Sequence, residues 1–179
     1  MGQSSGAQLD VRGAVLRQPL GDMINSMAPS LSLAALYHTG IVVDDVDRAM
    51  VEYSDIMGVT WGPEGEAEVP VWLPEGPRTM SFRYAYTAEG PHRLELVRPT
   101  PGTLWTVTGP GHAHHLGYWC DDVPKTSAEL SRRGHPLAAK VGVSDLDADA
   151  DIVMHRAPSG VLIELVNSAN RKLTFGEDG

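Results

Sequence analysis

His38-Thr39-Gly40-Ile41-Val42-Val43-Asp44-Asp45-Val46 decides the reading of this chain, because the pattern occurs twice. The second copy is His115-Leu116-Gly117-Tyr118-Trp119-Cys120-Asp121-Asp122-Val123, with His, Gly, Asp, Asp and Val at the same offsets. Each copy is followed, some tens of residues on, by an aliphatic-Glu-Leu-Val tetrad: Leu94-Glu95-Leu96-Val97, then Ile163-Glu164-Leu165-Val166. One His and one Glu are thus duplicated inside a repeat. Two units that bring two His and two Glu together would make a metal site.

Outward from the repeat, local patterns assign the elements. Alternation makes 36–43 a strand with His38, Gly40 and Val42 on one face. Asp44 or Asp45 then offers an N-cap, and Val46, Ala49, Met50, Tyr53, Ile56 and Met57 follow at helical spacing. Gly58 stands where a C-terminal cap belongs, so a helix is expected over 45–57. Strands are expected over 67–73, 79–87 and 92–98, the last two joined by the turn sequence Ala88-Glu89-Gly90-Pro91. Pro and Gly between 99 and 111 mark a crossing. The second half repeats the order: a strand over 113–120, then a helix capped by Asp122 that tolerates Pro124 and ends at Gly134. Strands over 137–143, 152–156 and 161–167 follow. The second helix has a thinner apolar stripe (Val123, Ala128, Leu130) and is expected to be the more exposed of the two. The class is α+β, with a βαβββ unit used twice.

Length and composition bound the rest. A chain of 179 residues allows one ordinary domain or two small, closely packed modules. At 42% hydrophobic and 21% charged residues it can bury a core. A formal charge of −9 argues against nucleic acid or an anionic membrane as partner, since both reward basic surfaces. The single cysteine, Cys120, rules out an intrachain disulfide and fits a cytoplasmic location. No apolar run approaches the ~18 residues of a spanning helix. Asp10 and Arg12 interrupt the order expected of a secretory signal. Residues 1–33 read as an N-terminal extension, disordered or with a short helix near 20–28, and 169–179 as a C-terminal tail.

Two imidazoles and two carboxylates suit one divalent ion of Ni, Co, Mn, Fe or Zn. A lone strand histidine is ordinarily a hydrogen-bonded core residue, and a solvated sheet face could carry the two glutamates. Duplication favours the metal, because an ionised Glu amid apolar neighbours is costly unless paired. Strand parity points Cys120 away from the site and puts Trp119 on the face of His115. A two-residue turn at Pro158-Ser159 would set Glu164 opposite Val153 and bring His155 to its face. The turn over 88–91 puts Phe82, Tyr84 and Tyr86 with Glu95. Trp119, His155, Phe82 and Tyr84 are therefore the expected substrate contacts. His114 must face away from His115, and with His92 and His112 it reads as structural or surface. The run Asp145, Asp147, Asp149, Asp151 fails as a calcium loop, because Ala150 replaces the turn glycine and Arg156 the closing Glu.

The assembled pieces are His38-to-Met50, Leu94-Glu95-Leu96-Val97-Arg98-Pro99, His114-His115-Leu116-Gly117 and Gly160-to-Leu165. Over roughly 36–168 they resemble the vicinal oxygen chelate superfamily, the glyoxalase / bleomycin-resistance / dioxygenase fold, most of all its glyoxalase I and methylmalonyl-CoA epimerase branch. The resemblance implies two tandem βαβββ modules (34–108 and 112–168 of one 34–168 domain) forming a cupped mixed sheet around one metal site. It implies His38, Glu95, His115 and Glu164 as metal ligands. The epimerases tend to carry Gln where this chain has Glu95, and glyoxalase I has Glu there. The implied activity is that of a divalent-metal-dependent isomerase, epimerase or lyase. A small-molecule substrate with vicinal oxygens would lose a proton next to a carbonyl, and the metal would hold the enediolate. Glu164 is the first candidate base and Glu95 the second. One alternative is an Fe-dependent dioxygenase using His38, His115 and Glu164. The other is a non-enzymatic binding or resistance protein of the same fold, for which Trp72, Trp105 and Trp119 offer stacking surfaces. Duplicated units allow a complete site in one chain, and a homodimer stays open.

Overall fold

The computed structural model describes residues 31–107 and 113–175. The helix expected near 20–28 and His112 lie outside them. A 3-10 turn at Leu33–Ala35 leads into β1 (Leu36–Val42), α1 (Val46–Met57), β2 (Gly65–Trp72), β3 (Arg78–Tyr86) and β4 (Arg93–Val97). Then come β5 (His115–Cys120), α2 (Val123–Arg132), β6 (Leu137–Val141), β7 (Ile152–Arg156) and β8 (Leu162–Asn167). The second Asp of each repeated pair acts as a cap. Asp45 Oδ1 accepts from Arg48 N at 3.0 Å and Asp122 Oδ1 from Lys125 N at 3.0 Å, each satisfying an amide that a helix start leaves without a partner. Gly58 ends α1 with φ 68°, a left-handed conformation that costs a glycine nothing.

The eight strands form one mixed sheet that closes on itself in the order β1-β4-β3-β2-β6-β7-β8-β5. The expected cupped mixed sheet is closed, because two seams join its halves. β1 pairs antiparallel with β5, and β2 with β6. The second seam is short, only Val71 with Val141 and Trp72 with Lys140, extended by Gly142 N donating to Pro70 O at 2.8 Å. The parallel pairs β1–β4 and β5–β8 flank the first seam.

Alternation along the strands sorts the side chains. Ala85 and Leu96 pack outward beneath Val46 and Ala49 of α1. Val153 and Leu165 pack beneath Val123 and Leu130 of α2, with Cys120 in the same layer. A third cluster, including Val42, Val71, Met80, Val97, Met154 and Leu162, lies on the inner side with Trp105. Each Glu-Leu-Val tetrad therefore sends its Leu under a helix and its Glu and second aliphatic residue inward.

Two expectations change. Ile56 and Met57, placed on the buried stripe of α1, are 78% and 53% exposed, because the helix outruns the sheet it covers. The two helices bury two residues each, so α2 is not the more exposed one. The tail begins with a 3-10 turn at Ser168–Asn170 and a short helix α3 (Arg171–Phe175), whose Phe175 packs edge-on against Tyr37, Tyr86 and Trp119. No helix among the described residues is long and apolar enough to cross a membrane.

Candidate metal centre

The β1–β5 seam and its parallel neighbours arrange the repeated residues in two rows. Across β4, β1 and β5 one row runs Glu95, Gly40, His115. Across β1, β5 and β8 the other runs His38, Gly117, Glu164. In each row a glycine separates a Glu and a His that stand two strands apart, about 10 Å at the usual strand spacing. The glycines leave the middle position empty for the imidazoles. A Cβ at Gly117 would lie 1.9 Å from His38 Cε1, and one at Gly40 would lie 1.9 Å from His115 Cε1. The Glu of each half thereby meets the His of the other.

Three donor atoms converge, and a fourth stands beside them. His38 Nε2 and His115 Nε2 are 2.8 Å apart. Glu95 Oε2 lies 2.9 Å from His115 Nε2 and 3.5 Å from His38 Nε2. Glu164 Oε2 lies 3.2 Å from His38 Nε2 and 3.9 Å from His115 Nε2. His38, Glu95 and His115 form the compact triad, with donor atoms within 4.8 Å of one another, and Glu164 joins from the side of His38. Ligands about 2.1 Å from one ion stand about 3.0–3.4 Å apart, and the triad's donors, 2.8–3.5 Å apart, lie close to that spacing. The side chains are 0–11% exposed. Two carboxylates with two neutral imidazoles would leave a buried charge of −2, which a divalent cation balances. The donor set fits such an ion.

Without an ion the residues compensate one another. Burial acts to lower the His38 pKa, but Glu164 and Glu95 outweigh it and raise the value from 6.5 to about 9. Burial would raise the Glu95 carboxyl, yet His115 and His38 hold it well below the usual carboxylate range. Burial, and then the Glu164 and Glu95 charges, push Tyr37 well above its ordinary value. Burial and Glu95 do the same to Tyr86, which pairs with Glu95 across β3–β4. Both phenols stay protonated beside the carboxylates.

A cavity of about 210 Å³ adjoins the centre, lined by Glu95, His115 and Glu164 and by Phe82, Tyr84, Tyr86, Tyr37 and Trp105. Among the described residues no Lys or Arg lines it. Phe82 and Tyr84 thus stand where the sequence put them, and Tyr86 pairs with Glu95 across β3–β4. Trp119 does not line the cavity; it stacks on Tyr37 with ring centroids 3.8 Å apart. His155 does not line it either. The loop over 157–160 sets Met154 opposite Glu164, a register one residue from that expected, and this turns His155 outward. There its Nδ1 meets His135 O at 2.9 Å and its Nε2 meets Ser127 Oγ of α2 at 2.8 Å.

Two contacts escape sequence parity. Tyr37 precedes His38 and should face away, but the β1–β5 register shifts between Leu36 and His38, and Tyr37 lines the cavity. Such bulges re-aim side chains and leave no mark in a single sequence. His114 was also expected to face away from His115. It precedes β5, outside the strict alternation, and is 3% exposed with its Nδ1 2.8 Å from His115 Nδ1.

The family model of the glyoxalase/bleomycin resistance protein/dioxygenase superfamily matches residues 37–154. No curated protein matches the chain by sequence. Among solved structures, a methylmalonyl-CoA epimerase bound to methylmalonyl-CoA is 22% identical with a TM-score of 0.51, the match covering 77% of this chain and 96% of that one. The methylmalonyl-CoA epimerase from Mycobacterium tuberculosis is 21% identical with a TM-score of 0.52, covering 84% and 99%. At these identities the likeness establishes a shared fold.

Proposed function

Because this chain belongs to the glyoxalase/bleomycin resistance protein/dioxygenase superfamily, we propose that it is a divalent-metal-dependent isomerase, epimerase or lyase built from two tandem βαβββ units. His38, Glu95, His115 and Glu164 would hold the ion. The observation that carries this reading is the convergence of the His38, Glu95 and His115 donor atoms, with Glu164 3.2 Å from His38, in a buried centre beside the cavity.

A bound divalent ion supplies Lewis-acid stabilisation of negative charge developing on a substrate oxygen. Two adjacent oxygens on the substrate suit such a site. Glu164 is our base: its Oε2 is 3.9 Å from His115, outside the compact triad, so it is the carboxylate freer to take a proton from the carbon next to the carbonyl. Glu95 is the second candidate, more tightly held by His115. The apolar and aromatic walls keep water from the carbanion-like centre. An Fe-dependent dioxygenase that used His38, His115 and Glu164 alone would leave Glu95, 2.9 Å from His115, without a role.

Metal analysis of protein purified without chelators tests the reading. One divalent ion per chain, absent from a folded His38→Ala/His115→Ala protein, is expected. A wild-type chain that stays metal-free after exposure to Ni, Co, Mn, Fe(II) and Zn ions overturns it.

A further inference from the structure

His114 is not one of the four donors, yet it is fixed on every side. Its backbone N donates to Gly40 O at 2.8 Å and its O accepts from Leu162 N at 3.1 Å, pinning it between β1 and β8. Its Nε2 stands 2.8 Å from Leu104 O and its Nδ1 stands 2.8 Å from His115 Nδ1. The loop that presents Leu104 is itself tied. Thr103 Oγ1 donates to Thr100 O at 2.7 Å, Trp105 N to Thr103 Oγ1 at 3.2 Å, and Thr100 N to Trp105 O at 2.8 Å.

The direction of these bonds follows from chemistry. A carbonyl oxygen only accepts, so the proton on His114 sits at Nε2. His114 is buried and makes no ion pair among the described residues, so its ring is neutral and its Nδ1 presents a lone pair. His115 Nδ1 must then carry a proton and donate it. With that proton held at Nδ1, Nε2, which faces Glu95 and His38, is the nitrogen of His115 left to bind an ion. We propose that His114 is a positioning residue. Through the Leu104 carbonyl, it locks His115 in the Nδ1–H form that a metal ligand bound through Nε2 requires. Carbonyl or carboxylate partners commonly play this part for metal-ligating histidines; here a second histidine relays it from a loop carbonyl. Among the described residues His38 has no counterpart, since its buried Nδ1 finds no partner there, and the two imidazoles of the centre are therefore unequal.

The proposal rests on the metal reading for its consequence but not for the hydrogen bond, and the test separates the two. In protein carrying ¹⁵N-histidine, measured metal-free and after zinc addition, His114 should be the Nε2–H tautomer. A ¹⁵N–¹⁵N coupling should cross the bond between the two Nδ1 atoms. An Nδ1–H tautomer of His114 overturns the proposal even where the protein binds zinc, whereas a wild-type protein that refuses zinc but shows the bond overturns only the metal reading. His114→Phe keeps the ring and removes the acceptor; chelator competition should show zinc binding about 10–100-fold weaker. His114→Gln, whose amide can both donate to Leu104 O and accept from His115, should recover most of that loss. A folded His114→Phe protein with wild-type zinc affinity overturns the proposal. If His114→Phe does not fold, the tautomer measured in the wild type still decides.

Discussion

Glu95 and His115 belong to different halves of the chain and stand two strands apart, yet Oε2 and Nε2 meet at 2.9 Å over the bare backbone of Gly40. Glu164 and His38 meet in the same way over Gly117, at 3.2 Å. Within a half the contacts are longer, 3.5 Å for His38 and Glu95 and 3.9 Å for His115 and Glu164; the seam between β1 and β5 makes the shorter, crossed pairs.

The glycines are therefore structural partners of the imidazoles. In Gly117→Ala the new methyl would sit 1.9 Å from the His38 ring, which is fully buried and has no room to move aside. Overpacking of this kind costs about 1–3 kcal/mol. Urea unfolding should show that loss, and a zinc titration should show weakened binding. Wild-type values in both would contradict the row geometry.

Proton release should accompany metal binding. His38 in the metal-free protein has its pKa raised to about 9, so at pH 7 it is protonated and must lose that proton to become a ligand. Calorimetric titrations in buffers of different ionisation enthalpy should find about one proton released per ion at pH 7, declining as the pH passes 9. The same shift bears on stability. The folded value of about 9 exceeds the unfolded 6.5, so the His38 contribution in the metal-free protein is complete below 6.5 and is lost as pH rises through 9. Metal binding at pH 7 with no proton release would contradict this charge state.

Glu95→Gln separates the isomerase-type reading from the dioxygenase one. It removes a charge that faces both imidazoles, so the His38 pKa should fall and less proton should be released on zinc binding. Activity should be lost even where metal is retained at high concentration. Full turnover in Glu95→Gln would favour a three-ligand centre of His38, His115 and Glu164.

The two faces of the Glu-Leu-Val tetrads should respond differently from the far end of α1. Leu165 is fully buried beneath α2, and Leu165→Ala should cost about 2–5 kcal/mol of stability. Ile56, although part of the apolar spacing of its helix, is 78% exposed, and Ile56→Ser should change stability by no more than about 0.5 kcal/mol. A large effect at Ile56 would mean that another surface covers it.

Much of this protein was legible from local rules. The duplicated His-x-Gly and aliphatic-Glu-Leu-Val patterns, the Asp45 and Asp122 caps, and the period-two alternation that sends Leu96 and Leu165 outward and Glu95 and Glu164 inward all depend on neighbours in sequence. Other features depend on how strands meet. The pairing of each Glu with the other half's His follows from the β1–β5 register, and the turn of Tyr37 into the cavity follows from a one-residue bulge in that seam. The outward turn of His155 follows from the loop over 157–160. Period two explains both outcomes. It fixes which residues of a strand share a face, but a single extra residue in a turn or a seam reverses which way that face looks. Only the closed sheet decides this, and it also decides that His114, placed just ahead of its strand, bonds to the histidine it was expected to avoid.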